Sequence, residues 1–174
     1  KYNIPYDYLF VNAGAGIFDN LGNNLYVNFI SKEEKEEIEK ILEKYENLKI
    51  TRYGIIEKQE KTSTQIVGYK IKGELNHLDY LYNTFANKLE NFEVVFKRDE
   101  GKLFLNHKNN TKEQAINKLI EKFPKYKDYE VITVGNDDVD FGMLQLYDGY
   151  CMKNSSELLL KNIRKIVSSV GELV

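Results

Sequence analysis

The sequence predicts an α/β fold, a core of buried strands and helices that carries an inserted α+β cap with an antiparallel sheet. The grounds are threefold. Val131–Val134 is a short β-branched run without charge, which reads as a buried strand, and Gly135 lets the backbone turn where that strand stops. Strand and helix patterns alternate at both ends of the chain. Between them, residues 31–107 read helix–strand–strand twice over, which suits a four-stranded antiparallel sheet with two helices on one face.

Composition narrows the function classes. With 174 residues the chain can bury one core, or a core and a small satellite domain. A formal net charge of −2 leaves no electrostatic footprint for nucleic acid. Cys151 is the single cysteine, so no internal disulfide can form and a reducing, cytoplasmic compartment is expected. Its neighbours Tyr150 and Met152 mark a buried strand, which makes it a structural thiol. No stretch reaches a membrane-spanning length, so no membrane partner is expected.

Taken in order, Tyr8–Val11 is an apolar run expected as a second buried strand. Ile17–Asp19 and Leu25–Val27 form a β-hairpin pattern around a Gly/Asn turn. Ser31 opens a helix, with Glu34 completing a capping box and Ile38, Ile41, Leu42 and Tyr45 along one face. Residues 48–58 and 64–72 read as strands joined by a turn at Glu60–Ser63, and Val67, Tyr69 and Ile71 alternate on one side of the second. A helix is predicted over 76–90 from the spacing of Leu78, Leu81, Phe85 and Leu89. Phe92–Lys97 and Lys102–His107 follow as strands around a turn at Asp99–Gly101.

Thr111 opens the next helix, with Gln114 closing a capping box, and Ala115, Ile116, Leu119, Ile120 and Phe123 form its buried face. Lys112 stands in its first turn, where a cation is unfavourable against the helix dipole unless an anion lies nearby. A short helix after the acidic loop, a strand over Gly149–Met152 and a helix over 155–163 complete the chain.

The acidic loop is the chemical focus. Asp137, Asp138 and Asp140 crowd one turn past the C-terminal end of a strand, where open α/β sheets bind their ligands. Carboxylates this close repel unless a proton or a hard cation such as Mg²⁺ holds them together. Asn12-Ala-Gly14 offers a superficial likeness to short-chain dehydrogenases. That reading fails, because no Gly-x-x-x-Gly-x-Gly phosphate loop is present and Tyr45-x-x-x-Lys49 falls at a helix end.

Three stretches together resemble the haloacid dehalogenase (HAD) superfamily, in particular its Cof-type and sugar-phosphate phosphatases. They are Val11–Asp19, Asn109–Ala115, and Gly135–Leu144 continued by Gly149–Asn154. The resemblance implies a Rossmann-like core over 1–29 and 108–174, with an αββαββ cap over 30–107. It implies Lys112 and Asp140 as catalytic residues, the Lys pairing with phosphate oxygens and the Asp orienting it. Asn136, Asp137 and Asp140 would hold Mg²⁺. Arg52, Lys97 and Arg98 are candidate cap contacts to a small phosphorylated substrate, expected to be a sugar phosphate.

The departures from the family pattern are informative. Asn136 stands where the family has a metal-binding Asp, and Val139 and Ala13 stand where it has Asn. They imply weakened or specialised metal use. The nucleophile motif Asp-x-Asp-x-Thr is absent, and the sole Asp-x-Asp is Asp138-Val-Asp140. The resemblance therefore implies an incomplete core without its first two strands, completed by a missing N-terminal segment or by another chain. Alone, this chain is expected to be inactive. The alternative is a degenerate, non-catalytic relative that binds a phosphorylated ligand or a protein partner.

Overall fold

The structure, a computed structural model, describes residues 5–55 and 57–173. The chain folds as two compact units that divide after Asn110.

The first unit opens with an antiparallel meander of β1 (Tyr8–Val11), β2 (Gly16–Asp19) and β3 (Asn24–Val27). Its hairpin turn is held by the Asp19 carboxylate, which accepts from the backbone N–H groups of Leu21 and Asn23, with Gly22 at φ +84°. At the β1–β2 corner Asn12 and Ala13 adopt φ of +48° and +57°. Asn12 Nδ2 donates to the carbonyls of Gly54 and Ile55 at 2.8 and 3.0 Å. The expected burial of β1 is not met: Leu9 is 45% exposed. The reason is that, among the described residues, β1 is an edge strand with β2 as its one neighbour in the sheet.

Next come α1 (Lys32–Leu42), β4 (Lys49–Tyr53), β5 (Lys58–Gln59) and β6 (Gly68–Lys72). They are followed by α2 (Leu75–Lys88), β7 (Phe92–Lys97) and β8 (Lys102–His107). The capping box forms as expected: Ser31 Oγ accepts from the Glu34 N–H, and Glu34 accepts from the Ser31 N–H. The strand expected over 48–58 stops at Tyr53, because the Gly54 N–H turns to the Glu57 carbonyl at 2.8 Å. Ile56, within that expected strand, lies outside the described residues.

The sheet is antiparallel throughout, in the order β5-β4-β6-β8-β7, and so has five strands where four were expected. Alternation sends Tyr69, Ile71, Leu103 and Leu105 to one face, where they pack with Ile38, Leu42, Leu78, Leu81 and Phe85 as the main core. Burial of apolar surface at about 25 cal/mol per Å² is what holds both helices to this face. One ion pair enters the core. Glu39 and Arg52 are only 8% and 13% exposed at their side chains, and Arg52 Nε and Nη2 each donate to Glu39 at 2.6 Å. The Tyr69 hydroxyl donates to Glu39 Oε1 at 3.2 Å; burial first, then the Glu39 charge, push that hydroxyl far above the usual phenol range.

The second unit contains α3 (Lys112–Lys122), β9 (Val134–Gly135), α4 (Phe141–Leu146), β10 (Tyr150–Met152), α5 (Glu157–Asn162) and β11 (Lys165–Val167). Its sheet is parallel, in the order β11-β10-β9, with Cys151 opposite Gly135 on one side and Ile166 on the other. Met143, Leu144, Cys151, Leu159 and Ile163 form its core, with Ile116, Phe141 and Tyr147 packed against them.

Three expectations need correction here. The strand read at Val131–Val134 is only Val134–Gly135, and Ile132 is 54% exposed, because among the described residues β9 lies at the sheet edge and pairs with β10 alone. On α3, Ala115 is buried while Ile116, Leu119, Ile120 and Phe123 are half-buried. The Thr111 hydroxyl accepts from the Gln114 N–H at 3.3 Å, so the cap is present on that side of the box. Among the described residues no helix is long and apolar enough to cross a membrane.

Candidate functional site

The second unit brings Lys112 and Asp140 together. Lys112 is the first residue of α3, placed by the Thr111 cap, and its ammonium forms an ion pair and hydrogen bond with Asp140 Oδ1. Asp140 is 4% exposed overall, whereas the Lys112 side chain is 37% exposed. The other carboxylate oxygen, Oδ2, accepts from the backbone N–H groups of Asn136 and Asp137 at 2.9 and 3.1 Å. Burial alone would raise the Asp140 carboxyl. The Lys112 hydrogen bond and the two backbone donors outweigh it and hold the group below the ordinary carboxylate range.

The loop reaches this shape through its own sequence. Asp137 caps the turn over Asp138–Asp140, with Oδ1 accepting from the Asp138 N–H at 2.8 Å, and the Asp140 N–H returns to the Asp137 carbonyl at 2.8 Å. The strand tip is tied to the segment after β10: the Ser156 N–H donates to the Asn136 carbonyl at 3.1 Å. Gly135 is required because a Cβ there would lie 2.4 Å from Asp140 Cβ and 2.7 Å from Cγ. Gly135→Ala is therefore expected to push Asp140 off Lys112 and to cost about 1–3 kcal/mol of stability. Urea unfolding followed by circular dichroism measures the loss.

Both Asp140 oxygens are thus committed, and Asn136, Asp137 and Asp138 are exposed. Among the described residues no three His, Cys, Asp or Glu side chains gather to hold a metal ion. The expected set of Asn136, Asp137 and Asp140 is thus a partial one, and Mg²⁺ held there would complete its octahedron with water and substrate oxygens.

The three other candidates lie in the first unit, and each has a partner there. Arg52 is forked onto Glu39. Arg98 pairs with Asp79 and lies over the Phe96 ring, 4.8 Å from its centroid. Lys97 stands 3.9 Å from Glu100. The sequence reading missed the backbone donors of Asn136 and Asp137. Their signal was available in Gly135 and the Asp137 cap, which together fold a turn that points two N–H groups inward.

Fold and site define an α/β protein with a strand-tip acid locked to a helix-start lysine. The family model for haloacid dehalogenase-like hydrolase matches residues 5–172. The chain belongs to the haloacid dehalogenase-like hydrolase family.

Solved structures agree on the fold. One is a haloacid dehalogenase-like hydrolase from Bacteroides thetaiotaomicron, with TM-score 0.71, 17% identity, and coverage of 89% of this chain and 68% of that one. A second protein of that organism, described among phosphatases of the HAD superfamily, has TM-score 0.73 at 10% identity and coverage of 94% and 69%. A haloacid dehalogenase-like hydrolase from B. subtilis has TM-score 0.67 at 14% identity and coverage of 91% and 73%. The chain therefore spans about 68–73% of the length of these structures. No protein of curated function matches the sequence.

Proposed function

We propose that this chain is part of a phosphohydrolase that cleaves the phosphate from a small phosphorylated metabolite, a sugar phosphate being the expected class. The observation that carries this reading is the Lys112–Asp140 pair. Asp140, fixed by two backbone donors and ionised, sets the position of the Lys112 ammonium. The exposed part of Lys112 faces outward as a fixed positive charge, able to stabilise charge on a phosphoryl oxygen. In the family reading an aspartate attacks phosphorus, the P–O bond to the leaving alcohol breaks, and water then hydrolyses the aspartyl-phosphate. No Asp-x-Asp-x-Thr occurs in these 174 residues, so that aspartate is not assigned to this chain. Mg²⁺ is the family's expected cofactor; the ligand set here is partial, and no step is assigned to it.

The purified 174-residue chain is expected to release no p-nitrophenol from p-nitrophenyl phosphate in excess Mg²⁺. Measurable turnover would place the nucleophile within the chain and overturn this division of labour. A second reading, non-catalytic binding of a phosphorylated ligand or partner, is favoured by Asn136, whose amide brings no charge to the loop. Phosphate protection of the Lys112 amine from acetylation, without turnover by any longer natural form of the protein, would select it.

A further inference from the structure

The five-stranded sheet carries an in-register row of lysines on the face away from its helices. Lys49 lies opposite Lys72, Lys72 opposite Lys102, and Lys102 opposite Lys97, so four adjacent strands each place one lysine in line. Residues directly opposite in an antiparallel pair share a face, and neighbouring strands lie about 4.8 Å apart, which makes the row about 14 Å long. The next row adds Thr51, Lys70 and Phe104, and beyond it Lys58 faces Tyr53. Lys70 rests over the Tyr53 ring, 5.5 Å from its centroid.

Like charges directly opposite one another destabilise a sheet. The compensation within the unit is thin. Glu100, in the β7–β8 turn, is the one carboxylate paired with this row among the described residues; it contacts Lys102 and stands 3.9 Å from Lys97. Glu93 lies on the same face, two rows away, opposite Asn106. The row keeps a net positive charge in a chain whose formal net charge is −2.

We propose that this sheet face binds a linear polyanion made of phosphate groups, held by Lys49, Lys72, Lys102 and Lys97. The spacing favours phosphates over an acidic peptide, whose same-side carboxylates recur only every 6.6–6.8 Å or so along an extended strand. The residue type is compatible with phosphate: lysine binds it as a point charge, and the row contains no arginine, whose fork grips carboxylate and phosphate alike. This site is separate from the Lys112–Asp140 pair and does not depend on the hydrolase reading of it.

Tripolyphosphate is the probe, added to the intact chain and followed by ¹H–¹⁵N amide shifts. Saturable shifts at residues 49–51, 70–72, 97 and 102 are expected, whatever happens at 111–140. Their midpoint should move to higher concentration with added salt, because the lysines are partly exposed. Lys49→Gln/Lys72→Gln should weaken this binding at least tenfold while leaving the fold intact, and Lys49→Arg/Lys72→Arg should retain it. Shifts confined to 111–140, or equal affinity in the Gln variant, would overturn the proposal. Tighter binding of poly-glutamate than of tripolyphosphate would also overturn it, in favour of an acidic protein segment.

Discussion

Glu39→Ala is expected to lose about 3–5 kcal/mol of stability, the usual cost of stranding one member of a buried ion pair. The loss falls on the first unit, where the largely buried Arg52 would keep its charge opposite Tyr69 without the carboxylate that now takes two of its N–H donors. Tyr69 would lose its acceptor in the same step. The measurement is the urea midpoint of the unfolding transition, read at constant m-value. Glu39→Leu/Arg52→Met removes both charges and should recover much of the loss, since well-packed apolar replacements of buried pairs are often neutral or stabilising. If Glu39→Ala costs less than about 1 kcal/mol, as a surface pair would, solvent must reach the guanidinium in solution.

Asp140→Asn should be the most damaging conservative change in the second unit. The amide keeps the size of the carboxylate but not its charge, and it presents a donor either to the Lys112 ammonium or to the N–H groups of Asn136 and Asp137. One of those contacts must break, at about 2–4 kcal/mol for a buried charged group left unsatisfied. Any phosphate affinity that depends on Lys112 should fall with it, because the ammonium loses its anchor. The pH dependence follows from the lowered Asp140 carboxyl. A depressed folded-state value means the contribution is fully present above the unfolded value of about 3.9 and disappears as pH falls through the folded one. Wild type should therefore lose stability on acidification below about pH 4 in a way the Asn variant does not. Parallel acid titrations of the two proteins would overturn this account of the pair.

Much of this was legible because local rules suffice for it. The Ser31–Glu34 box, the apolar spacing of α2 and the alternation along β7 are signals within a single element, and tertiary packing reinforced each. Lys112 at a helix start called for an anion, and Asp140 supplies it. Where partners come from distant sequence, the reading ran short. Arg52 has the alternation of a strand residue, but only the crossing of α1 over β4 puts Glu39 against it. The lysine row is invisible in sequence, because Lys49, Lys72, Lys97 and Lys102 become neighbours only through strand register. β11 was missed since Lys165–Val167 is too short for a period to show. Val131–Val134 misled because β-branched residues favour extended backbone whether or not a neighbouring strand arrives to pair with it.

The corner at Asn12 carries a mechanical implication. The meander contributes only Ala15 and Ile17 to the buried apolar set, so little burial anchors it. One side-chain amide, clasping two carbonyls of the Gly54 turn, is a principal tether. Asn12→Ala is therefore expected to loosen the ribbon more than the rest of its unit, read as faster amide exchange at residues 8–27 than at 68–72.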